Sequence, residues 1–153
     1  MAGNRGECPT LTITHMQEVG IVNRELARVL SQQGHGDLLM VVDAGFAIPK
    51  GADVVDISLS ENCPMLIDTL KELKKFHSVE KLIFANETKN VSPSLFNAVR
   101  KLFGKNVPVE LVPHPQIKEI STKVKAVIRT GDFTAYANVI LVSGAGPRWF
   151  CEK

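Results

Sequence analysis

Cysteine is scarce in this chain: Cys8, Cys63 and Cys151 are the three present, far apart and odd in number. No Cys-x-x-Cys and no histidine-rich tract occurs. Neither a zinc site nor a disulfide framework is signalled, and a reducing, cytoplasmic setting is expected. An excess of one charge sign is also missing, since 18 basic residues meet 16 acidic ones for a net charge of +2. That balance lacks the basic footprint of a nucleic-acid partner or a membrane surface. No run approaches the roughly 18 consecutive apolar residues of a membrane helix. The opening "MAGNRGECPT" has no apolar core and is not expected to act as a secretory signal. A Gly-x-Ser-x-Gly nucleophile elbow is absent, and "SGAGP" matches no phosphate or dinucleotide fingerprint. The cysteines have no activating neighbour in sequence, so covalent catalysis has little support.

What is present is enough apolar material for a core. The chain has 153 residues, 44% hydrophobic and 22% charged, which fits one domain with a buried interior. Residues 1–15 are expected to form a loose N-terminal extension, and residues 16–153 a single domain.

Strand and helix patterns alternate through that domain. "IVNRELARVLSQQG" sets Val22, Leu26, Val29 and Leu30 on one face, with Gly34 as the expected C-cap. "LLMVVD" is a continuous apolar run, the pattern of a strand buried on both faces. "AGFAIPKGA" is a loop and "DVVDISL" a strand. "CPMLIDTLKELKKF" carries Leu66, Ile67, Leu70 and Leu73 at helical spacing, with "KELKKF" a solvated face. "EKLIFA" is a strand. "NVSPSLFNAVRKLFG" is a helix with Ser92 as N-cap, Pro93 at its first position and Gly104 at its end. "VPVELVP", the short helix "HPQIKEIST", and the strands "KAVIRT" and "NVILVS" follow. The alternation predicts an α/β domain with a largely parallel sheet and helices on both faces.

Ligands of such sheets bind beyond the carboxyl ends of the strands. Asp43 closes one predicted strand, Asn86 and Glu87 follow another, and His114 follows a third. "GDFTAYAN" holds the chain's only tyrosine, Tyr136, with Asn138 two residues on. A phenol and an amide both donate and accept hydrogen bonds, as a sugar hydroxyl requires. Each of these also has an ordinary structural reading, His35 and His114 as turn residues and "GDFTAYAN" as a tight connection. His15 and His77 are read as surface residues without a role.

Taken together, "GHGDLLMVVDAGFAIPK", "DISL", "ANE", "PHPQIK" and "VIRTGDFTAYANVIL" resemble, in order and spacing, the D-ribose pyranase family, whose relatives include the L-fucose mutarotases. The match runs from about Val19 to about Val142, and "DAGFAIPK" leans to the ribose branch. The resemblance implies a three-layer α/β fold and cofactor-free interconversion of the cyclic forms of a free sugar. Matched position by position, it makes His35 the proton donor and Asp43, His114, Tyr136, Ala137 and Asn138 the sugar-binding residues. It also implies a ring-like homo-oligomer, commonly a decamer, whose sites are completed by neighbouring subunits. Residues before about Met16 and the tail "GAGPRWFCEK" depart from the family's pattern. L-fucose mutarotation and sugar binding without turnover are the alternatives.

The chemistry suits these residues. A pyranose opens when its anomeric hydroxyl loses a proton and its ring oxygen gains one. An imidazole titrates near neutrality and can do both. Asp43 suits two adjacent sugar hydroxyls, and Asp37 is placed either to orient His35 or to cap the next element. No metal is required. The strand between His35 and Asp43 would separate them by roughly 15–20 Å. Both can therefore serve one sugar if they come from different copies of the chain.

Overall fold

A computed structural model describes residues 16–152; the expected N-terminal extension and His15 lie outside them. The central run folds as predicted. β1 (Leu38–Val42) occupies the middle of a six-stranded sheet ordered β2-β5-β1-β6-β3-β4. The other strands are β2 (Val54–Asp56), β3 (Val79–Ala85), β4 (Val109–Val112), β5 (Ala126–Arg129) and β6 (Val139–Ser143).

Because successive side chains of a strand point to opposite faces, β1 feeds two cores. Leu39 and Val41 pack with α1 (Arg24–Ser31), α2 (Leu66–Phe76) and α4 (Pro93–Phe103) on one face. Met40 and Val42 pack with α5 (His114–Ser121) and with Phe46 and Ile48 of the β1–β2 loop on the other. All four residues are fully buried, each contributing about 1.5–3 kcal/mol. The result is the expected three-layer α/β arrangement.

Five strands run in one direction and β6 runs against both its neighbours, β1 and β3. The cause is the β5–β6 connection. A parallel return needs a crossover of a dozen or more residues, usually helical. Residues 130–138 contain no helix, so the chain turns back at the end where β5 stops. On the way it passes over the carboxyl end of β1, donating from Thr130 N–H to the Val42 carbonyl and accepting from Ala44 N–H at the Asp132 carbonyl.

Three local expectations are corrected. α1 begins only after Asn23, whose side chain accepts from Leu26 N–H at 2.9 Å, so Val22 precedes the helix and is exposed. Its C-cap is Gln32; Gly34 is tied instead to the Asp37 carboxylate, donating its N–H at 2.7 Å. Ser92 stands at the N-cap of α4 without capping it, because its hydroxyl donates to the Ala135 carbonyl at 2.6 Å. Asn86 and Glu87 follow β3, as expected, and open a short additional helix, α3 (Asn86–Val91), whose one buried residue is Thr88.

Candidate functional site

The carboxyl ends of the strands form a cleft of about 380 Å³ lined by Asp43, Phe46, His114, Lys118, Tyr136 and Asn138, among others. Asp43 leaves β1 and meets Asn138 at the start of β6. Asp43 N–H donates to Asn138 Oδ1 at 3.0 Å, and Asn138 Nδ2 donates to Asp43 Oδ2 at 3.2 Å. The other carboxylate oxygen accepts from Gly45 N–H at 2.9 Å. Burial pushes the Asp43 carboxyl above its ordinary pKa, and the bonds from Gly45 and Asn138 oppose that shift.

Tyr136 adopts a left-handed backbone conformation, with φ of 57°, which is uncommon for a bulky residue. Its carbonyl accepts from the Thr88 hydroxyl at 2.8 Å and from Asn138 N–H at 2.8 Å. With the Ser92 tether, α3 and α4 hold the Tyr136 loop from outside. Asp132 anchors it from below. This carboxylate is wholly buried and accepts from Leu66 N–H, at the start of α2, and from Thr134 N–H, both at 2.8 Å.

His114 occupies the first position of α5, behind Pro113. Its backbone N–H donates to Glu87 Oε2 at 3.0 Å, so the carboxylate from α3 caps α5. The imidazole lies edge-on to Tyr136, with ring centroids 5.1 Å apart, and to Phe46, at 6.3 Å. Its Nδ1 is buried and has no hydrogen-bond partner among the described residues. Ala137 contributes differently from its neighbours: its methyl belongs to the hydrophobic core and its N–H donates to the Thr134 carbonyl. Only its carbonyl is left for a ligand.

His35 is not in this cleft. It precedes β1 while Asp43 follows it, and five strand residues span roughly 16 Å. At that amino end, His35 Nε2 stands 2.9 Å from Glu80 Oε2 on β3, and the histidine side chain is 68% exposed. The tautomer that donates Nε2–H to this carboxylate leaves Nδ1 as the acceptor nitrogen of the neutral ring. Asp37 turns away from the imidazole. It accepts from Gly34 N–H and from Lys125 Nζ, both at 2.7 Å, and these bonds hold its carboxyl below the ordinary range.

His35 lines a second cleft of about 330 Å³, with Gln33, His77, Ser143 and Trp149 on its walls. His77 is more than the surface residue expected. It is half-buried, its Nε2 is 2.9 Å from Ser143 Oγ, and burial pushes its pKa down.

Sequence reading missed Glu80, Lys118 and Asp132. Lys118 was within reach of it, since it lies one helical turn after His114 and so shares its face. Glu80 joins His35 only through the sheet, 45 positions away.

Comparisons with known proteins agree on one family. The model of the RbsD / FucU transport protein family matches residues 16–146. A D-ribose pyranase of Kosmotoga olearia is 46% identical over 130 residues, covering 84% of this chain and 98% of that protein. A D-ribose pyranase of Halalkalibacterium halodurans is 42% identical over 129 residues, with the same coverage. Among solved structures, RbsD of Bacillus subtilis complexed with D-ribose superposes with a TM-score of 0.81 at 37% identity, covering 86% of this chain and 99% of that one. The fucose mutarotase of Streptococcus pneumoniae with L-fucose reaches 0.69 at 19% identity, covering 80% and 93%, a likeness of fold.

Proposed function

Because the chain belongs to the RbsD / FucU transport protein family, we propose that it is an isomerase converting free D-ribose between its pyranose and furanose forms. One observation carries the reading. The carboxyl-end cleft gathers a carboxylate, an amide, a phenol and an imidazole with an unpartnered buried nitrogen, a set that matches the hydroxyls of a sugar. The ribose branch is favoured over the fucose branch because the D-ribose pyranases compared above are 42–46% identical to this chain, against 19% for the fucose mutarotase of Streptococcus pneumoniae.

The sugar is held by Asp43, accepting from two adjacent hydroxyls, and by His114, Tyr136 and Asn138. His35 of a neighbouring subunit moves the proton: its imidazolium gives one to the ring oxygen and the neutral imidazole takes up the one that the anomeric hydroxyl loses, so the open aldehyde forms with no net change in protons. Rotation and attack by another hydroxyl close the furanose. Positioned acid–base catalysis of this kind contributes typically about 10²–10⁴-fold. The separation of His35 from Asp43 supports a homo-oligomer in which the two ends of adjacent copies meet; that it is a ring-like decamer rests on the family resemblance. No cofactor takes part. A cytoplasmic setting is proposed, in keeping with the free, exposed thiols of Cys63 and Cys151; no helix among the described residues is long and apolar enough to cross a membrane.

Saturation-transfer NMR on ribose at equilibrium tests the proposal. Added protein should speed exchange between pyranose and furanose signals. Binding by calorimetry with unchanged exchange would mark a sugar-binding module instead, and faster exchange of fucose than of ribose would mark a mutarotase of the other branch.

A further inference from the structure

Where the family match ends, at residue 146, the chain still has two aromatic residues to place, Trp149 and Phe150, and of the two Trp149 lines a cleft. Trp149 is the chain's only tryptophan. A turn closed by Trp149 N–H on the Gly146 carbonyl, at 3.1 Å, folds the tail against the start of β3. The approach is tight enough to need glycine. A Cβ on Gly144 would come within 2.5 Å of the Glu80 Cβ, and one on Gly146 within 2.2 Å of Ser78 Oγ. The tail is thereby seated on Glu80, the residue that bonds His35, and the indole forms a wall of the His35 cleft.

The indole is 77% exposed there. A large flat ring left in water beside a polar cleft suits a ligand with one apolar face and a polar rim. A ribose ring is such a ligand: its C–H bonds can lie on the indole while its hydroxyls reach the imidazole and the indole N–H.

We propose that Trp149, beyond the family match, is a sugar-positioning residue, covering the C–H face of the ribose whose proton His35 moves. The inference rests on the proposed ribose isomerase reading, and extends it to a residue outside the family match. In that site Asp43 and His114 of one copy grip the hydroxyls, and Trp149 arrives with His35 from the next.

The single tryptophan makes the test direct, because all indole emission of the assembled protein comes from this residue. Titration with D-ribose should shift the emission and saturate at the concentration that saturates exchange. W149A should raise KM about tenfold, the size of one lost stacking contact, with kcat nearly unchanged, and W149F should recover part of the loss. A wild-type protein that exchanges ribose with silent emission, or a W149A protein with the wild-type KM, would overturn the inference and leave the isomerase reading standing. Wild-type protein without ribose exchange would overturn both. If W149A does not assemble, the wild-type emission decides alone.

Discussion

Asp43 and Asn138 exchange two hydrogen bonds across the end of β1, backbone N–H to amide oxygen and amide nitrogen to carboxylate. The pair joins the strand that delivers the acid to the strand that returns beside it, and fixes the carboxylate at the mouth of the cleft. N138A should therefore act twice. It leaves half-buried Asp43 groups without partners, lowering stability by about 1 kcal/mol, and it frees the carboxylate to turn, raising KM for ribose. Denaturant unfolding and exchange kinetics on the same variant check both effects.

Asp43 should trade stability for binding. Its folded pKa is raised by burial, so the folded state takes up the proton more readily than the unfolded chain. The cost is present above the folded pKa, is relieved as pH falls through it, and is gone below the unfolded value. D43N should accordingly unfold at a higher denaturant concentration than wild type at neutral pH. Its advantage should shrink in acid, while ribose exchange is lost at every pH. Unfolding midpoints at neutral and acidic pH make the comparison.

Glu80 should matter for rate and little for stability. It bonds His35 Nε2 in a largely exposed pair, and such pairs contribute about 0–1 kcal/mol. E80A releases the imidazole from its orientation, and misplacement of a reacting group costs on the order of 10–100-fold. The expected result is a lowered kcat with an unchanged unfolding midpoint; wild-type kcat would remove Glu80 from any orienting role.

Asp132 should behave in the opposite way. Its buried carboxylate caps α2 through Leu66 N–H and holds Thr134 N–H. D132A strands both donors and should cost about 2–4 kcal/mol, read as a lower unfolding midpoint.

The layers were legible in the sequence because their signals are local. The apolar run of β1, Pro93 opening α4 and Gly104 closing it each act within a few residues. Asp43 and His114 stood out because each follows a predicted strand, Tyr136 and Asn138 because the chain's one tyrosine stands two residues from an amide, and the fold gathers all four at one end of the sheet. The direction of β6 was not legible, since it depends on a connection that returns without a helix. Nor was Glu80, whose meeting with His35 depends on the order of strands in the sheet. Ser92 had a readable local role as a cap, and Asp37 as an orienter of His35 or a cap of the next element, but Ser92 bonds the Ala135 carbonyl and Asp37 bonds Gly34 N–H and Lys125 once the segments meet.

The central claim is that each site draws His35 from one copy and Asp43 from another. Co-assembly of H35A with D43A tests it most directly, because neither variant alone has a complete site. In randomly mixed oligomers about one quarter of the sites would pair an intact His35 with an intact Asp43, and ribose exchange should return to about that fraction of wild type. Mixed oligomers as inactive as either parent would contradict the account.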